Sequence, residues 1–204
     1  MKIALKQLSL SWLPMLFLVL TAGSMLFVFF RKEMLYFVFF LFSSLFLAKH
    51  IYKRELLIFV QLLILFLSFL LINFLFATST QSTQKLFANI VIFTSSIFSA
   101  LYYSRDENKK QFIPHLYLVL KIILIHSLIS FFIYPFIQSF LFEISNSRYD
   151  CVSFLNIFFY LKYTHSFSVL GIDLVRNQGI FWEPGVLQIF LNLLLFIISF
   201  VKTF

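Results

Sequence analysis

The sequence predicts an all-α, polytopic integral membrane protein with about six transmembrane helices and one long extracytoplasmic loop. Three observations lead there. Of 204 residues, 61% are hydrophobic and only 12% are charged. The mean hydropathy is +0.97. The apolar residues, 32 phenylalanines among them, gather in runs close to the length of a bilayer crossing. A soluble domain of this size leaves roughly a third of its surface in water and could not hide so much apolar surface, so lipid is the expected solvent.

A crossing helix needs about 20 mainly apolar residues to span about 30 Å of hydrocarbon. The first run, residues 8–30, follows Lys2 and Lys6 and contains the small residues Ala22-Gly23-Ser24, as a cleavable signal peptide would. Its apolar character continues to Phe30, which favours an uncleaved anchor. The second, residues 34–52, is the weakest: its purely apolar part is Met34 to Ala48, and Lys49, His50 and Tyr52 must snorkel to the interface. Residues 56–77 and 86–103 supply the third and fourth crossings, joined by the Ser/Thr/Gln run from Thr78 to Gln84, a plain outer loop. Gln61 and Asn73 are expected to hydrogen-bond between helices.

The fifth, residues 114–137, starts at Pro114 and carries Lys121 about 10 Å along its axis, where it must snorkel or face the bundle interior. A long connection, residues 138–184, precedes the sixth run, residues 185–201. Within that connection, residues 154–161 are too short to cross and are expected as an amphipathic helix lying in the outer interface.

The positive-inside rule sets the orientation. With the amino terminus in the cytoplasm, nine Lys and Arg fall on the inner side and six on the outer, with Lys121 inside a span. The connection 138–184 then lies on the outer face. The net charge of +8 is spread among the gaps between apolar runs. That pattern serves membrane anchoring and argues against a nucleic-acid partner. Cys151 is the single cysteine, so no intrachain disulfide forms, and His50, His115, His126 and His165 are scattered, so neither a metal nor a cofactor is expected.

The connection holds Glu143, Asp150, Asp173 and Glu183, half of the acidic residues, and it ends in RNQGIFWEPG, residues 176–185. Pro184 suits the first turn of a helix, where its missing N–H costs nothing, and Gly185 would let backbone approach closely. Trp182 would sit at the outer headgroup level. Glu183 on the first turn gains roughly 0.3–1 kcal/mol from the helix dipole. Arg176 could pair with Asp173 or a headgroup, and Gly179 could simply turn the chain. Together, though, an Arg and a Glu held by a tight turn beside a helix amino terminus make a charged site at the membrane surface. A guanidinium can hold phosphate oxygens, the helix start adds favourable dipole, and a carboxylate can accept a proton from a sugar hydroxyl. Glycosyl transfer from a lipid pyrophosphate fits these parts.

At these residues the chain resembles the O-antigen and capsular polysaccharide polymerases, in which an Arg, a nearby Gly and a Phe-x-Glu-Pro-Gly segment precede a membrane helix. Arg176, Gly179 and Phe181-Trp182-Glu183-Pro184-Gly185 stand in that order. The resemblance implies a bacterial inner-membrane enzyme that joins oligosaccharide repeat units carried on undecaprenyl pyrophosphate, at the outer face, without metal or nucleotide sugar. It places function on Arg176 and Glu183, with Gly179, Pro184 and Gly185 shaping the turn. Arg148, His165 and Trp182 are further candidates for contact with the lipid-linked oligosaccharide. Such polymerases have about twice as many crossings, so the chain is similar to their N-terminal half. A chain-length regulator or a second polymerase half is then an expected partner besides membrane lipid. The alternatives are an O-antigen ligase and a small multispan transporter or flippase component.

Overall fold

The computed structural model describes residues 10–25, 32–48, 52–76, 83–145, 150–161, 167–169, 172–174, 178–181 and 183–201. The chain divides into two compact units, Met1–Leu18 with Glu33–His115, and Val19–Lys32 with Leu116–Phe204. Its described residues are mostly helical: α1 (Leu13–Leu20, entered through a 3-10 turn), α2 (Lys32–Ala48), α3 (Lys53–Leu75), α4 (Thr83–Ser104), the short α5 (Asp106–Lys109), α6 (Phe112–Ile137) and α7 (Pro184–Phe200).

Three helical stretches, Lys53–Leu75, Leu86–Ser104 and Asp106–Phe140, are long and apolar enough to cross a membrane, whereas Leu10–Leu20, Leu35–Leu45 and Pro184–Phe200 are apolar but shorter. The 17 residues of α2 and of α7 reach about 26 Å each, a little short of a hydrocarbon core.

The first apolar run corrects an expectation. Residues 8–30 do not form one crossing helix: α1 stops at Leu20, Gly23 takes φ +118°, and Ser24 makes an antiparallel bridge to Phe181. Hydropathy is blind to this break, because Thr21, Ala22 and Gly23 cost little in hydropathy but allow a turn.

The first unit is packed with phenylalanine. Phe17 stacks on Phe39 and Phe42 at 5.9 and 5.8 Å, Phe98 stacks on Phe59 at 5.0 Å, and Phe66 on Phe93 at 3.7 Å. Ile97 and Leu101 of α4 form the buried centre, with Ile58 and Phe59 of α3 packed on them. Rings suit this task because helices in lipid gain nothing from hiding apolar surface and must associate through close packing. Serines within these helices return their hydroxyls to the preceding turn, Ser95 to Val91 O at 2.7 Å and Ser99 to Ser95 O at 3.0 Å, so no donor is stranded. The outward side of α3 stays apolar and exposed, as at Leu57, Ile64 and Phe69.

The second unit departs from an all-α fold. The connection 138–184 contains a three-stranded antiparallel sheet, β1 (Phe142–Ser145), β2 (Asp150–Phe154) and β3 (Phe158–Leu161), and a separate hairpin of β4 (Phe167–Val169) and β5 (Ile172–Leu174). The segment expected as an interfacial helix, residues 154–161, is therefore the turn and second arm of a hairpin, with Phe154 paired to Phe158. Leu155 and Asn156 both take left-handed φ, +53° and +56°. Asn tolerates that region; a leucine there carries strain.

Tertiary contacts explain why strand wins. Along β2, Cys151 and Ser153 are buried while Val152 and Phe154 are half-buried, the period of two that a one-sided sheet requires. Met25, Cys151 and Phe159 form one core cluster. Helix α6 ties the hairpin down at two points one turn apart: His126 Nε2 bonds to Ile157 O at 3.0 Å, and Tyr160 OH donates to Ser130 O at 2.8 Å. The His126 ring also stacks on Phe158 at 5.2 Å. Burial holds the Tyr160 hydroxyl above its ordinary pKa, against the smaller downward pull of its bond to Ser130.

Candidate functional site

The segment that carries the charged motif is shaped first by Gly179. Phe181 N–H donates to Gln178 O at 3.1 Å, closing a four-residue turn, and Gly179 occupies its first central position with φ +58°. An L side chain there is strained on the backbone alone. It would also be crowded, since a Cβ would stand 3.3 Å from Leu187 Cδ1 and 3.6 Å from Ser127 Cβ. The glycine thus lets the turn lie directly on α6 and α7.

The turn is clamped from the amino-terminal side. Met25 N–H donates to Ile180 O at 2.8 Å, and the Ser24 hydroxyl donates to the same oxygen at 3.2 Å. Phe181 is fully buried and stacks on Phe190 of α7 at 4.9 Å. Backbone pairing thus holds one side of the turn and ring packing the other.

Helix α7 then begins at Pro184, with Glu183 as the extended N-cap residue, φ −142° and ψ 137°. Val186 N–H donates to Glu183 O at 3.1 Å, the first bond of the helix. The Glu183 side chain makes no capping hydrogen bond and is exposed. Its carboxylate stands at the positive end of a 17-residue helix without being consumed by it.

Of the residues singled out from sequence, Gly179, Glu183, Pro184 and Gly185 are placed in this one stretch of the second unit. Arg176, Arg148, His165 and Trp182 lie outside the described residues. One reason offered for Gly185 does not hold: a Cβ there would meet only the Glu183 carboxyl, at 3.9 Å, an ordinary contact. The close approach that needs a glycine is at Gly179.

Sequence reasoning missed three participants. Gln178 is fully buried, and neither its amide nitrogen nor its amide oxygen has a hydrogen-bond partner. A polar side chain inside RNQG was visible, but its burial was not. Ser24 and Met25 were read as part of a crossing, and no local signal links them to residue 180. In the first unit, Glu55 and Arg105 form a buried pair, Arg105 Nε to Glu55 Oε1 at 2.7 Å and Nη2 to Oε2 at 2.8 Å. The carboxylate bonded to it raises the Arg105 pKa further, against the smaller opposing effect of desolvation. Both residues lie at helix ends, Glu55 in the first turn of α3 and Arg105 just after α4, where each sign suits the local dipole. Among the described residues no cluster of three or more His, Cys, Asp or Glu could hold a metal ion.

Compared with models of known families, with curated proteins and with solved structures, the chain finds no match.

Proposed function

We propose that the protein is a multispan membrane glycosyltransferase that polymerises undecaprenyl-pyrophosphate-linked oligosaccharide repeat units at the outer face of a bacterial inner membrane. The observation that carries this reading is Glu183, an exposed carboxylate at the start of an apolar helix that makes no capping bond of its own. The motif order of Arg176, Gly179 and Phe181 to Gly185 supports it, as do the three stretches long and apolar enough to cross a membrane.

In this reading Glu183 accepts the proton of an acceptor-sugar hydroxyl as its oxygen bonds to the anomeric carbon of the donor unit. The bond from that carbon to the pyrophosphate oxygen breaks, and the electron pair leaves with the lipid diphosphate. Arg176 and the amino terminus of α7 hold the negative charge that develops there. Gly179 keeps the turn that brings the two charged positions to the same helix mouth.

The test is a pair of substitutions, Arg176→Ala and Glu183→Gln, in cells that depend on this gene for long-chain polysaccharide. Both variants are expected at wild-type levels in the membrane fraction, with the ladder of chain lengths collapsed to single units. Ladders of normal length from both variants would overturn the proposal.

A further inference from the structure

In the first unit a cleft of about 670 Å³ opens where the start of α3 meets the end of α4 and the start of α5. The Glu55–Arg105 pair forms its base, and it is internally satisfied: two guanidinium bonds and the Tyr52 N–H, at 3.3 Å, all reach the one carboxylate. With that pair neutral as a whole, the charges left to the cleft are Arg54 on the α3 rim and Asp106 and Glu107 on the α5 rim, all exposed. Ile58 and Leu101 line it with apolar surface.

This arrangement discriminates between ligand classes. A purely anionic group meets two carboxylates, and a purely cationic one meets Arg54. A ligand carrying both signs a few bonds apart can satisfy both rims. The apolar lining continues into the exposed face of α3, at Leu57 and Ile64, so the ligand can carry hydrocarbon with it. We propose that the cleft binds the headgroup of a zwitterionic phospholipid with a primary ammonium, its phosphate on Arg54, its ammonium between Asp106 and Glu107, and its first acyl carbons over Ile58 and Leu101. A quaternary ammonium has no N–H to give the carboxylates, so phosphatidylcholine is the poorer ligand. The proposal stands on charge and shape in the first unit and is independent of the chemistry assigned to Glu183.

Native mass spectrometry of the purified full chain, offered phosphatidylethanolamine, phosphatidylcholine and phosphatidylglycerol at equal concentration, reads this directly. The expected result is one retained phosphatidylethanolamine, with phosphatidylcholine and phosphatidylglycerol each held about tenfold less, the weight of roughly one charge-assisted hydrogen bond. Arg54→Gln, and separately Asp106→Asn with Glu107→Gln, should each reduce retention of phosphatidylethanolamine by about tenfold. These side chains are exposed, so folding is not at stake. Ile58→Trp, which fills the apolar lining, should also expel the lipid, and free phosphoethanolamine should not compete. Equal retention of all three lipids, a wild-type preference for phosphatidylglycerol, or competition by free phosphoethanolamine at matched concentration would each overturn the proposal.

Discussion

Removing one partner of the Glu55–Arg105 pair should destabilise the protein by about 2 kcal/mol, whereas removing both should cost little. The magnitude follows from where the pair sits. A solvent-exposed ion pair contributes about 0–1 kcal/mol, and breaking a deeply buried one costs about 3–5 kcal/mol, because the survivor is left charged and dry. Here the side chains are 6% and 12% exposed at bonding distances of 2.7 and 2.8 Å, yet they form the base of an open cleft that admits water. The lower middle of that span, about 2 kcal/mol, is the value the geometry supports. The assay is a double-mutant cycle of Glu55→Leu and Arg105→Met, with unfolding followed by titrating a denaturing detergent into micelles. Each single variant should lose about 2 kcal/mol and the double variant under about 1 kcal/mol, giving a coupling of at least roughly 2 kcal/mol. A coupling below about 0.5 kcal/mol would show that the two charges do not depend on each other.

Three further outcomes follow from the second unit. Gly179→Ala should cost about 2 kcal/mol in the same titration, roughly 1–2 for the left-handed backbone and the rest for crowding against Leu187; adding Leu187→Ala should not restore the backbone share. Gln178→Leu should be neutral or stabilising by about 1 kcal/mol, since an amide buried without partners gains nothing from being polar; a loss of more than about 1 kcal/mol would reveal a hydrogen bond to an ordered water. Tyr160→Phe should cost about 1 kcal/mol and raise amide exchange in residues 150–161, because it severs one of the two ties between the hairpin and α6; unchanged exchange there would show that His126 alone suffices.

What could be read from sequence was what short-range chemistry decides. Pro184 after an extended Glu183 announces a helix start, and α7 begins there. The apolar runs mark where α2 to α4, α6 and α7 lie, to within a few residues at each end, because backbone groups in an apolar stretch have few partners but their own helix. What could not be read depends on partners far along the chain. The hairpin at 150–161 exists because His126 and Ser130 receive it, and an aromatic run of eight residues gives no hint of either. Glu55 and Arg105 stand 50 residues apart, so neither the capping position of one nor the basic loop of the other announces the pair. The likeness in RNQGIFWEPG suggests chemistry, but the four candidates Arg148, His165, Arg176 and Trp182 fall where the described structure says nothing.

The bond from Ser24 to Ile180 joins positions 156 residues apart. A ribosome delivers the first of them long before the second. During that interval the Met25 amide and the Ser24 hydroxyl, left without their eventual acceptor, have to be satisfied by something else, water at a headgroup or a translocation factor. The bend that carries Gly179 can therefore close only after nearly nine-tenths of the chain has been made. A mutation near residue 24 would disturb the last step of maturation while leaving every apolar helix correctly inserted.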